Sequence, residues 1–111
     1  MTLQLSGYRL LWLLVLFDLP VGTKKERKAA SKFRNDLRDL GFEMSQFSVY
    51  LRWCYGYDSA DTWIKRVKAS VPPYGKVHII TFTDKQYETM VTFTGGSKNT
   101  AQKSPQQYEL F

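Results

Sequence analysis

Leu10-Leu11-Trp12-Leu13-Leu14-Val15-Leu16-Phe17-Asp18-Leu19-Pro20 decides the fold. Eight apolar residues, Leu10 to Phe17, run without interruption into one acid. A run of that length, dense in large apolar side chains and closed by Pro, predicts a strand buried on both faces. Pro20 has no N–H and cannot occupy the middle of a sheet, so the strand ends near Asp18. A carboxylate there is costly to desolvate unless it is exposed, hydrogen-bonded or bound to a metal. Open sheets with helical crossovers place their chemistry at such carboxyl ends. Asp is also a common turn residue, so from this stretch alone Asp18 reads more as a cap on the turn into a helix than as a catalyst.

That helix follows at once. Thr23-Lys24-Lys25-Glu26 matches the capping box, in which the Thr hydroxyl and the Glu carboxylate satisfy free backbone N–H groups reciprocally. Ala30, Phe33, Leu37 and Leu40 form one apolar stripe, and Gly41 suits the left-handed residue that ends a helix. The helix is predicted over about 24–40. In 42–51, Phe42 and Met44 share one strand face while Phe47, Val49 and Leu51 share the other. The parity flip predicts a bulge or tight hairpin near Gln46. Asp58 or Ser59 is expected to cap a second helix, with Ala60, Trp63, Ile64 and Val67 inward and Pro72-Pro73 as its stop. Lys76 to Phe82 reads as a strand, Asp84 to Met90 as a short helix, and Val91 to Phe93 as a short strand. The order β-α-β-β-α-β is the ferredoxin-like pattern, an α+β fold with two helices on one face of an antiparallel sheet.

Residues 1–94 form the expected domain, 95–106 a polar, turn-prone linker, and 107–111 a C-terminal strand. Tyr108-Glu109-Leu110-Phe111 alternates, and an apolar tail beyond a linker needs somewhere to dock. A sheet edge on a partner subunit would serve, and a frayed terminus is the alternative.

Bulk properties narrow the partners. The 111 residues suffice for one domain with a modest core. A net charge of +6 points to a polyanion, with nucleic acid ahead of a membrane surface. One cysteine, Cys54, excludes an intramolecular disulfide and, with one histidine, a Cys-rich zinc site. This fits a reducing compartment, and the expected location is the cytoplasm. Arg9 before an apolar run imitates a signal peptide, but no cleavage pattern follows and the run is too short to span a bilayer.

Lys24, Lys25, Arg27, Lys28 and Lys32 crowd the start of the first helix. Cations there oppose the helix dipole, which favours phosphate contact reinforced by free N–H groups at the helix start; a solvated charged face is the plain alternative. Lys65, Arg66 and Lys68 add a second patch. His78 lies inside an apolar strand and reads as a core residue rather than a base. Cys54, between Trp53 and Tyr55, reads as a packed thiol. Asp18 alone cannot hold Mg²⁺ firmly, but a two-fold dimer could bring two copies together, a route to a metal-dependent nuclease.

Phe17-Asp18-Leu19-Pro20, Glu26-Arg27-Lys28, Lys32-Phe33-Arg34, Gly41-Phe42, Met44 and Gln46-Phe47-Ser48-Val49-Tyr50 together resemble the small CRISPR-associated Cas-two (Cas2) family, most like members from type II systems. Tyr74-Gly75, Thr83-Asp84-Lys85-Gln86 and Gly96-Ser97-Lys98-Asn99-Thr100 extend the likeness over nearly the whole chain. The resemblance implies a homodimer whose C-terminal strand completes the partner's sheet. It implies a complex with the integrase Cas-one on duplex DNA, which inserts new spacers into a CRISPR array. For some members it implies a Mg²⁺-dependent endonuclease on RNA or DNA, with the catalytic and metal-binding acid falling on Asp18. Many members have Tyr before that acid, where this chain has Phe17.

Overall fold

β1 (Leu10–Asp18) is the second strand in from one edge of a four-stranded sheet, and it pairs antiparallel on both sides. The computed structural model describes residues 10–95. After β1 come α1 (Lys24–Asp39), β2 (Glu43–Gln46), β3 (Val49–Tyr55), α2 (Gly56–Ser70), β4 (Lys76–Thr83) and α3 (Asp84–Glu88). The sheet order is β2-β3-β1-β4, and every pairing is antiparallel. This is the ferredoxin-like arrangement that the element order predicts.

The pattern in β1 is sharper than the sequence suggests. Leu11, Leu13, Val15 and Phe17 are buried, while Leu10, Leu14 and Leu16 between them are only half-buried. The buried set faces the helices. It packs with Tyr50 and Cys54 of β3, Phe33 and Leu37 of α1, and Ala60 and Val67 of α2. Among the described residues the strand is therefore covered on one face, not two, because both long helices lie on the same side of the sheet.

α1 starts as its sequence dictates. The Thr23 hydroxyl accepts the Glu26 N–H, and Glu26 Oε1 accepts those of Thr23 and Gly22. The helix ends on Leu40, with Gly41 at φ +88°. The register of β2 against β3 shifts between Met44 and Gln46, at the expected bulge. α2 begins earlier than expected. β3 runs straight into it through Gly56, and no side-chain cap is used; Asp58 rides in the first turn, where its charge suits the dipole. α3 is shorter than expected, closed by a second capping box between Thr83 and Gln86. No strand forms over 91–93, where Val91 and Phe93 lie exposed and pair with no strand among the described residues. The linker from 96 onward and the strand expected at 107–111 lie outside the described residues. Among the described residues no helix is long and apolar enough to cross a membrane.

Candidate functional site

The strand register defines a second, open face. Residues directly opposite in an antiparallel pair point the same way. Leu14, Leu16 and Asp18 of β1 thus share a face with Leu51 and Val49 of β3 and with Ile80, His78 and Lys76 of β4. Leu51 alone of these is buried, and Ile80 is 46% exposed. At one end this face is closed by α3. Trp12 Nε1 donates to Asp84 Oδ1 at 2.9 Å, and its indole stacks on Tyr87 with ring centroids 4.2 Å apart. At the other end stands Asp18, exposed, opposite Lys76 and roughly 20 Å along the strand from Trp12.

His78 corrects one expectation. It is exposed on this open face, on the rung of Leu16, because the apolar residues around it in sequence alternate between two faces and only one is covered. Phe17 points the opposite way from Asp18. Its ring meets Phe33 edge-on at 5.1 Å and stacks over Tyr50 at 5.8 Å, with the Arg34 guanidinium 5.6 Å above it. A Tyr hydroxyl at position 17 would therefore enter the helix-covered side, away from the Asp18 carboxylate. Cys54 is the packed thiol expected from its neighbours. Burial pushes its pKa up, against weaker opposing pulls from the Ser59 hydrogen bond and the Arg52 charge.

Among the described residues no group of three or more His, Cys, Asp or Glu gathers to hold a metal. Asp18 therefore belongs to no such group, and Lys76 stands opposite it. Mg²⁺ takes one or two carboxylates with water and phosphate, and a second carboxylate at this face would come from another copy of it.

The basic residues sit near the same end of the molecule. The short connection 19–23 links Asp18 directly to the start of α1. Lys24, Lys25 and Lys28 are exposed and make no hydrogen bond or ion pair with any described residue, and an open groove runs past Lys25, Lys28 and Lys32. Arg27 is partly committed, donating to the Val21 carbonyl at 3.1 Å, and Lys32 pairs with Asp36 at 2.9 Å. The amides of Gly22, Thr23 and Glu26 are taken by the capping box. Any phosphate contact here would thus rest on side-chain charge more than on the free N–H groups expected at the helix start. In the second patch, Arg66 lies over Trp63, which Arg52 covers at 3.7 Å. Elsewhere, a cavity of about 410 Å³ flanks β3 where it runs past the last β2 pairing, with no described strand on that side, lined by Arg52, Trp53, Tyr55 and Trp63 among others.

The model of the family "CRISPR associated protein Cas2" matches residues 11–90. The chain belongs to the Cas2 family. It is 58% identical over 108 residues to the "CRISPR-associated endoribonuclease Cas2" of Paracidovorax avenae, covering 97% of this chain and all of that protein. A protein of the same description from Flavobacterium psychrophilum is 47% identical, over 97% of this chain and 94% of its own length. One from Parvibaculum lavamentivorans is 41% identical over 91% of this chain and its own full length. For a Cas2 family member the open sheet face, ending in Asp18, is the candidate site, flanked by the α1 lysines.

Proposed function

We propose that this Cas2 family member acts in CRISPR adaptation as a homodimer that binds the backbone of duplex DNA and bridges integrase subunits. The observation that carries the reading is the open face. Half-buried Leu14, Leu16 and Val49 and exposed Ile80 form an apolar surface that a second copy, related by a two-fold axis, would cover with the same patch. Such a dimer leaves α1 and α2 of each protomer facing outward, presenting Lys24, Lys25, Arg27, Lys28 and Lys32 to phosphates without reading sequence. The edge of β3 beyond β2, which carries no described strand, offers a place for the alternating tail 108–111 of the partner subunit. The test is a salt titration of DNA affinity with the dimer assembled on its integrase. Lys24→Glu with Lys25→Glu should lower affinity and flatten the slope of log affinity against log salt by about 0.9 for each lost phosphate contact. Unchanged affinity and slope would remove α1 from the DNA surface.

A second reading is a Mg²⁺-dependent endonuclease on RNA or DNA. It is favoured by the exposure of Asp18 on the face that would meet its own copy, and by the relatives' description as endoribonucleases. The two Asp18 carboxylates, one from each protomer, would hold the ion between them. A bound Mg²⁺ supplies an activated water and offsets charge on the phosphate. Lys76, opposite each Asp18, adds positive charge for the substrate backbone. Purified wild-type and Asp18→Ala dimers should be compared on RNA and DNA with and without Mg²⁺. Cleavage should require both the carboxylate and the metal, and equal residual cleavage by both proteins would identify a contaminant.

A further inference from the structure

The end of β1 is clamped from two sides. On one, the Phe17 N–H donates to the Ser48 carbonyl of the β2–β3 hairpin at 3.1 Å. On the other, the turn from α2 into β4 folds back on Asp18 and Leu19 at Gly75, whose φ is +79°. A Cβ on Gly75 would overlap the Asp18 carbonyl oxygen and lie 2.9 Å from Leu19 Cδ2 and 3.0 Å from Leu19 Cα. Two of those three atoms are backbone and cannot swing aside as a flexible side chain would.

We propose that Gly75 is a positioning residue for Asp18. Its missing side chain lets the turn seat against the Asp18 peptide, and this seat sets where the carboxylate stands on the open face. The consequence for cleavage rests on the endonuclease reading above, whereas the consequence for the carboxylate itself does not. In a two-fold dimer any displacement is applied twice, once in each protomer, so the separation of the two acids changes by up to twice either shift. Misplacement by about 1 Å is enough to cost on the order of a hundredfold in rate.

Gly56 supplies an internal control. Its φ is +74°, close to that of Gly75, yet a Cβ there would meet nothing within 4 Å. Gly56→Ala therefore carries a similar backbone strain without the contact. The experiment labels Asp carboxyl carbons with ¹³C in the full-length dimer and assigns the Asp18 signal by its loss in Asp18→Asn. It also measures Mn²⁺ affinity by paramagnetic resonance, together with kcat and KM for RNA cleavage.

Gly75→Ala should move the Asp18 signal, weaken Mn²⁺ binding and lower kcat by about ten- to a hundredfold, with KM for RNA little changed. Gly56→Ala should lose comparable thermal stability and leave the other readouts alone. Gly75→Asn, in which the left-handed backbone is better tolerated and the Cβ contact is kept, serves if Gly75→Ala does not fold. An unmoved Asp18 signal and Mn²⁺ affinity in the Gly75 variant, or equal shifts in Gly56→Ala, would overturn the assignment. If Asp18→Ala cleaves RNA like wild type, the endonuclease reading falls, and the carboxyl signal alone decides the role of Gly75.

Discussion

The two faces of β1 carry nearly the same residues and have opposite fates. Leu11, Leu13 and Val15 face the helices and are inaccessible to solvent; Leu14 and Leu16, their neighbours in sequence, are only partly buried on the far side. The apolar content of the two faces is alike, so the hydrophobic effect favours covering both. Among the described residues only α1 and α2 are long helices, and both crossovers place them on one side. The covered face is a finished core. The open face is an apolar surface, ending in the exposed carboxylate of Asp18, that no described helix covers.

The largest test of that contrast is cavity formation. Leu13→Ala should cost about 2–5 kcal/mol in urea unfolding, because the site cannot collapse around the missing atoms, whereas Leu16→Ala in the monomeric state should cost well under half of that. Equal losses would show that the faces are equivalent. Next, Ile80→Lys should leave each protomer folded but weaken self-association by a hundredfold or more in sedimentation, since burying an unpaired charge costs on the order of 3 kcal/mol. A variant that stays dimeric would move the interface off this face. Asp84→Ala probes the closed end of the open face, where it removes the acceptor of the Trp12 indole. About 1 kcal/mol should be lost, with dimerisation little affected.

The smallest effect lies on the covered face. Burial raises the pKa of Cys54 above its ordinary 9.0. The folded protein then holds the thiol proton more tightly than the unfolded chain does. The resulting stability is fully present below pH 9.0 and is lost as pH climbs toward the raised folded value. Cys54→Ala should flatten that alkaline decline in thermal unfolding, even though it lowers stability at neutral pH.

The sequence carries the fold where the signal is local. Thr23-x-x-Glu26 writes its own helix start, and the apolar parity between Met44 and Phe47 announces the bulge. Thr83-x-x-Gln86 is the same capping signature and was available to mark the start of α3. What is not legible is whatever depends on how many faces are covered. An unbroken apolar run cannot say whether its second side meets its own helices or another molecule, so His78 reads as core and stands exposed. The start of α2 is hidden because Gly56 makes the turn by a left-handed backbone and no capping side chain is needed. Asp18 is visible as an acid at a strand end; its backstop at Gly75, which is 57 residues away in the chain, becomes visible once the tertiary contact is known.

The central position of β1 also bears on how the protein comes off the ribosome. Leu14 pairs with Leu51 on one side and Ile80 on the other, so the first apolar strand to emerge has no neighbour until most of the domain has been made. At typical synthesis rates that interval lasts several seconds, on the order of a few residues to twenty added per second. Through it an eight-residue apolar stretch is without its sheet partners. Nascent chains of this protein should therefore engage holding chaperones early and release them once β4 has been synthesised.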